Sequence, residues 1–381
     1  MLVWEQRKLK NLVDFYSGLT YHPENIREKG TFVIRSSNIK DGQLVTGDNI
    51  FVAPEIVNCT YVKKDDIIVV VRNGSRKLIG KHTKLNFNLN NAVIGAFMTG
   101  IRSNNNNFIN AIFDSDNFKR EIHKNLGATI NQITTGELKR MNFYIPSLTS
   151  EQNYLGNLMK VLDKLITLQQ RKLENYLLIK KKLSNIFFND KIVNKNDLLF
   201  EHRVKANQLF ISYSKKGLSH LPVLSASQNK GMVFRKDESK NILYTHDNLT
   251  NYKLVEPDDF VVHLRSFQGG FAYSDKTGIA SPAYTIFKFK NNVAYNSVYW
   301  KEKFKSYNFI QLLKKITYGV RDGRSISFSD FLSLYLTFPD IKLQNKIGNV
   351  LSKLDTQISD QKEIIKKLEN IKQFLLQNMF I

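Results

Sequence analysis

Two short segments carry the side chains best suited to polar recognition. Arg72, Asn73, Gly74, Ser75, Arg76, Lys77 and Lys81 fall within ten residues, and far downstream Arg265, Ser266, Gln268, Gly269 and Gly270 form a similar cluster. A guanidinium or ammonium donates to acceptor pairs, an amide both donates and accepts, and a glycine lets the backbone approach a ligand closely. Such a set suits nucleic-acid bases, with Arg or Lys toward guanine and Asn or Gln toward adenine, while the same cations also hold phosphates without reading sequence. Arg35 and Asn38 in the turn RSSNIKDG, Lys230, and Arg321 and Arg324 in the string RDGR extend the candidates. For any one of these residues the alternatives are a base edge, a phosphate or plain solvent.

Signatures of covalent chemistry nearly appear and then fail. Residues 74–82, GSRKLIGKH, imitate a phosphate-binding loop, but five residues instead of four separate the glycines, and His82 stands where Ser or Thr must bind magnesium. Pro339-Asp340 followed by Asp360-Gln361-Lys362 spells a nuclease-like string, yet Asp360 falls inside a predicted helix. No Asn-Pro-Pro-Tyr or Asp-Pro-Pro-Tyr string is present to accept a flipped adenine, and no Gly-x-Gly loop precedes a helix to hold S-adenosylmethionine. Seven scattered histidines and the single Cys59 spell no zinc site. The chain therefore reads as catalytically empty, with no catalytic residue, metal or cofactor of its own.

The elements that must position the polar segments are written twice. Residues 145–188 reappear as residues 338–380, and at an offset of 192 Gln152, Gly156, Asp163, Ile166, Gln169, Lys180 and Leu183 meet Gln344, Gly348, Asp355, Ile358, Gln361, Lys372 and Leu375. A repeat this long implies two copies of a domain-sized unit instead of a solenoid. Both copies read as long helices and coiled-coil candidates, with seam residues Leu155, Leu162, Gln169, Tyr176 and Leu183 in the first and Ile347, Leu354, Gln361, Leu368 and Leu375 in the second. Leu158, Leu165, Ile179 and Ile186, with Val350, Ile364 and Ile371, belong to the same apolar stripes, and Met159, Ile166, Leu173 and Phe187 widen the first. Pro146 and Pro339 mark the helix starts, with Thr149 and Asp340 as the expected caps. A polar layer at Gln169 and Gln361 either fixes register or marks where the helices part.

Outside the helices the halves match in plan. Trp4-Glu5-Gln6-Arg7 corresponds to Phe200-Glu201-His202-Arg203, Tyr16-Ser17 to Tyr213-Ser214, and the run DDIIVVVR at residues 65–72 to DDFVVHLR at residues 258–265. Each run reads as a turn, a buried strand and an emerging arginine, after which the copies diverge. Trp4, Tyr16, Tyr21, Tyr213 and Tyr252 are expected to pack cores or interfaces more than to stack on bases.

Composition bounds the partners. Of 381 residues 56 are Lys or Arg against 34 Asp or Glu, a net charge of +22. An excess of this size attracts polyanions, above all nucleic acid. Lysine-rich composition from an AT-rich genome accounts for surplus lysine but not for the low acidic count. Mean hydropathy of -0.32 fits a soluble protein, the apolar runs are too short to span a bilayer, and the opening MLVWEQRK lacks the apolar core of an export signal. With one cysteine, a cytoplasmic location is expected.

In order, the WEQRKL opening, Tyr16-Ser17-Gly18, the RSSNIKDG turn, the DDIIVVVRNGS strand and loop and the IPSLTSEQ lead into a long helix, all repeated more loosely, resemble the specificity (S) subunit of Type I restriction-modification systems. The resemblance implies an α+β chain. Its target recognition domains would occupy residues 1–147 and 191–339, and its spacer helices, residues 148–190 and 340–381, would pair as an antiparallel coiled coil with pseudo-twofold symmetry. It also implies a noncatalytic reader of a bipartite double-stranded DNA site. Two methyltransferase (M) subunits carrying S-adenosylmethionine and two restriction (R) subunits using ATP and magnesium would be its partners. A self-contained DNA-modifying enzyme, or a coiled-coil scaffold that binds DNA or RNA without reading it, stands as the alternative.

Overall fold

In the computed structural model the described residues are 3–126, 131–188, 202–227, 230–237, 246–262, 270–314, 316 and 327–379. They form two compact units, Met1–Arg171 with Glu363–Ile381, and Lys172–Lys362. Thr149–Phe187 and Ile341–Met379 are single helices of 39 residues each, about 58 Å long at 1.5 Å per residue, and each contributes one part to each unit.

Each unit is framed by pairing its opening strand with the strand that leads into a long helix. Trp4–Lys8 runs antiparallel to Asn142–Pro146 in the first unit, and His202–Lys205 runs antiparallel to Tyr335–Phe338 in the second. Inside these frames lie four-stranded antiparallel sheets of the same order. The first unit places Asp14–Ser17, Met98–Arg102, Ile67–Val70 and His82–Lys84 side by side. The second places Phe210–Tyr213, Thr285–Phe289, Phe260–Val262 and Phe271–Tyr273 in the equivalent positions. Ile67–Val70 and Phe260–Val262 are buried on both faces, which is why each is written as an uninterrupted apolar run. The turn before each strand is matched too: Asp65 and Asp258 have φ of 69° and 71°, the left-handed region that Asp enters more readily than most residues.

The units part company in the second sheet and in the core. In the first unit Ala92–Ile94, Thr31–Ile34, Ile50–Val52 and Ile26–Arg27 form one sheet with a parallel pair at its edge. In the second, the hairpin Leu224–Ser227/Gly231–Phe234 and the pair Lys253–Val255/Gly278–Ala280 are joined, among the described residues, by the parallel bridge Val223–Ile279. The first core is largely aliphatic around Phe108, Phe113 and Phe118. The second is an aromatic cluster in which Phe210, Phe289, Phe304 and Phe338 surround Trp300, with Phe210 edge-on to the indole at 5.5 Å.

The long helices follow a strict alternation of four and three. Residues 155, 159, 162, 166, 169, 173, 176, 180, 183 and 187 are buried or half-buried in one, as are residues 347, 351, 354, 358, 361, 365, 368, 372, 375 and 379 in the other, the heptad spacing of a coiled-coil seam. Leu165, Ile179, Ile186, Val350, Ile364 and Ile371, expected in the stripe, are exposed. Each lies one position before a seam residue, so two adjacent apolar rows compete in the sequence and packing selects one. In the first unit Leu375 and Met379 share a core with Leu155 and Leu162. In the second, Leu183 and Phe187 share one with Leu343 and Ile347. Within each unit, the segments run in opposite directions.

Asp340 caps its helix as expected, its Oδ1 accepting from Leu343 N at 2.7 Å. Thr149 instead lies within the first turn of its helix. There Gln152 Nε2 reaches back to Pro146 O at 2.9 Å, and Gln344 Nε2 does the same to Pro339 O at 2.9 Å. The repeated glutamines thus tie each helix start to the strand before it.

Candidate nucleic-acid interface

The segment after Ile67–Val70 is held by its backbone and opens its cations to solvent. The N–H groups of Val71 and Arg72 both donate to Phe97 O, at 3.0 and 3.2 Å, and Asn73 N donates to Asn131 O at 3.2 Å. Asn73 Nδ2 donates to Ser36 Oγ at 3.0 Å, and its Oδ1 accepts from Ser75 N at 3.0 Å. Asn131 Nδ2 closes the loop on Gly74 O at 2.9 Å. Arg72, Ser75, Arg76 and Lys77 are exposed, Lys81 is half-buried, and a Cβ at Gly74 would meet nothing within 4 Å. Arg72 lies over the Phe97 ring, its guanidinium carbon 5.0 Å from the centroid, a cation–π contact.

Two other candidates have internal partners. Arg35 donates from Nη2 to Asp48 Oδ2 at 2.6 Å and to Asp48 O at 2.8 Å. Asn38 is buried, accepts the Arg35 N–H at 3.0 Å and closes the turn around Val45 and Asp48. An Asn amide that satisfies its own turn is a structural device, so Asn38 supports this surface from beneath. In the second unit Lys230 is exposed before Gly231, whose φ is 74°. Arg265, Ser266, Gln268, Arg321 and Arg324 lie outside the described residues.

The string at residues 74–82 serves the core: His82 Nε2 meets Asp114 Oδ1 at 3.1 Å, and the ring packs edge-on to Phe113. Asp340 and Asp360 belong to the cap and interior of one helix, which keeps their carboxylates apart. Among the described residues there is no cluster of three or more His, Cys, Asp or Glu able to hold a metal. Tyr16, Tyr21, Tyr213 and Tyr252 pack against cores.

At the start of the central strand of each unit lies a matched clamp. In the first unit Tyr16 Oη donates to Asp66 Oδ2 at 2.8 Å, and Arg102 grips both carboxylate oxygens from Nε and Nη2 at 2.8 and 2.9 Å. In the second, Tyr213 donates to Asp259, whose Oδ2 also accepts Glu256 N at 2.6 Å. Lys288 replaces the arginine and lies over the Tyr213 ring at 4.8 Å. Burial pushes the Asp259 carboxyl up to about 6, against the hydrogen bonds and the Lys288 charge.

A second matched device ties each unit to its helices. Lys372, on the seam, bridges Asp163 at 2.6 Å and Asp114 at 2.7 Å. Lys180 bridges Asp355 at 2.7 Å and Glu302 at 3.0 Å. Burial works against both ammonium groups, but the paired carboxylates outweigh it and hold both above the ordinary lysine range. Asp114 is likewise held below the carboxylate range, His82 and Lys372 overcoming its burial. Gly156 and Gly348 let the helices Asn106–Asp114 and Ser297–Lys305 approach at the same level: an added Cβ would lie 2.5 Å from Phe108 N or 2.8 Å from Asn296 Oδ1.

Comparison with known proteins finds likenesses in sequence and in fold. Residues 1–178, a little under half of the chain, match the family model of the Type I restriction modification DNA specificity domain. The chain is 28% identical over 161 residues to the StySPI specificity subunit of Salmonella potsdam, covering 39% of this chain and 34% of that one. It is 26% identical over 204 residues to the MjaVIII specificity subunit of Methanocaldococcus jannaschii, covering 51% and 47%. The matched segments thus span about a third and about half of those relatives. In fold, the chain is similar to the S subunit of a Type I system from M. genitalium, with a TM-score of 0.64 at 16% identity over 100% of this chain and 96% of that one.

Proposed function

We propose that this chain is the noncatalytic DNA-reading subunit of a cytoplasmic Type I restriction-modification complex, each unit reading one half of a bipartite duplex site. The observation that carries this reading is the repetition of one scaffold in both units, the same four-strand order and the same Tyr–Asp pair, while the segments that follow the central strand differ in sequence, NGSRKLIGK against SFQGGFAYS. A kept frame with changed loops is how one architecture carries two specificities.

The net charge of +22 supplies the sequence-independent attraction to duplex DNA. The candidates for base and phosphate contact are Arg72, Arg76, Lys77 and Lys81 in the first unit, with Lys230, Arg265, Gln268, Arg321 and Arg324 in the second. Two M subunits carrying S-adenosylmethionine would methylate adenine, and two R subunits would use ATP and magnesium. The repeated helices offer these partners equivalent docking surfaces. Among the described residues no helix is long and apolar enough to cross a membrane.

Co-expression with the M subunit, followed by mapping of methylated adenines, tests the reading. The expected result is a bipartite motif with an unspecified spacer. A single contiguous motif, or methylation by the purified chain without a partner, would sink it.

A further inference from the structure

We propose that Phe97 is a specificity-determining positioning residue, whose ring holds the Arg72 guanidinium for a bidentate contact with one guanine in the half-site of the first unit. The inference rests on the DNA-reading function above and deepens it to a named base and a named support. Two arginines near this surface meet different fates. Arg35 is neutralised by Asp48. Among the described residues no carboxylate pairs with Arg72, and no side chain or carbonyl accepts from its guanidinium. Its guanidinium carbon lies over the Phe97 ring instead, 5.0 Å from the centroid, and its N–H groups are left for an external acceptor.

The ring is itself 53% exposed, and the core gains little from it. What the fold fixes is its place: Phe97 O takes the backbone N–H groups of both Val71 and Arg72, so ring and guanidinium spring from directly linked backbone. A planar guanidinium stacked on an aromatic face presents its fork edge-on, the orientation that guanine N7 and O6 accept in the major groove. A phosphate contact makes no such demand, because a freely rotating cation serves it equally well. Open space at Gly74 lets a base edge approach beside the fork.

The experiment is selection of a randomised duplex library by the full-length chain, compared among the parent protein, Phe97→Ala, Phe97→Trp and Arg72→Lys. The parent should enrich a bipartite motif with a guanine in the half-site of the first unit. Phe97→Ala and Arg72→Lys should each lower discrimination at that one base pair about 5- to 30-fold, within the range of a bidentate base contact, and leave the other half-site and the salt slope unchanged. Phe97→Trp, which keeps a flat face, should retain most of the preference. A motif without guanine in that half, or one that Phe97→Ala leaves intact, would overturn the proposal alone. So would uniform weakening of all sequences with a shallower salt slope, the mark of a phosphate contact. A parent chain that enriches no motif would instead remove the DNA-reading function itself.

Discussion

In the first unit Asp66 is gripped by the Arg102 fork and by Tyr16, whereas in the second Asp259 keeps its tyrosine but faces an ammonium lying over the ring. The cores differ in the same manner, aliphatic in one and aromatic in the other around the same strand order. What stays constant is the set of contacts that join each unit to its long helices: a seam lysine between two carboxylates, a glycine at the crossing, a glutamine tied back to a proline carbonyl. Cores drift freely as long as volume and pattern are kept. A backbone crossing and a buried charge admit few alternatives. The joint is therefore conserved between the copies more strictly than the cores it carries.

The largest expected effects come from the seam lysines. Lys180→Met leaves Glu302, only 5% exposed, with nothing but the long 3.8 Å bridge to Lys305 and should destabilise the second unit by about 3 kcal/mol. Lys372→Met should cost the first unit less, about 2 kcal/mol, because Asp114 keeps His82 and is 23% exposed. Hydrogen exchange followed separately in each unit checks both the order and the confinement. Equal losses, or a loss that spreads to the other unit, would break the comparison.

The glycines sharpen it. At Gly156 an added Cβ meets backbone, Phe108 N at 2.5 Å and Asn107 C at 2.9 Å, and Gly156→Ala should cost about 2 to 3 kcal/mol. At Gly348 it meets the Asn296 side chain, which rotates away at the loss of its cap on Tyr299 N, so Gly348→Ala should cost about 1 kcal/mol. Denaturant unfolding of the two variants measures the difference, and reversal of the order would show that the crossings are not built as described.

Much of the joint was legible in the repeat. Gln152, Gly156, Asp163 and Lys180 recur in register, and each recurs because its contact does. The third members of the triads were not legible, since Asp114 and Glu302 differ in type and fall outside the repeated stretch. Half of each seam was visible as a seven-residue recurrence, while the rest was masked by apolar residues one position away that remain exposed. At the surface, Asn38 looked like a base reader because its type suits adenine, and only its burial reveals a turn closer. Phe97 gave no signal, being an isolated aromatic without a donor whose role comes from the strand that sets it under Arg72.

The central claim is that one frame carries two independent readers. Replacing residues 1–147 with the corresponding segment of a Type I specificity subunit, and mapping the methylated sites produced by both proteins with one methyltransferase subunit, tests it most directly. One half of the bipartite motif should change while the other half and the spacer length persist. A change in both halves, or in neither, would contradict the account.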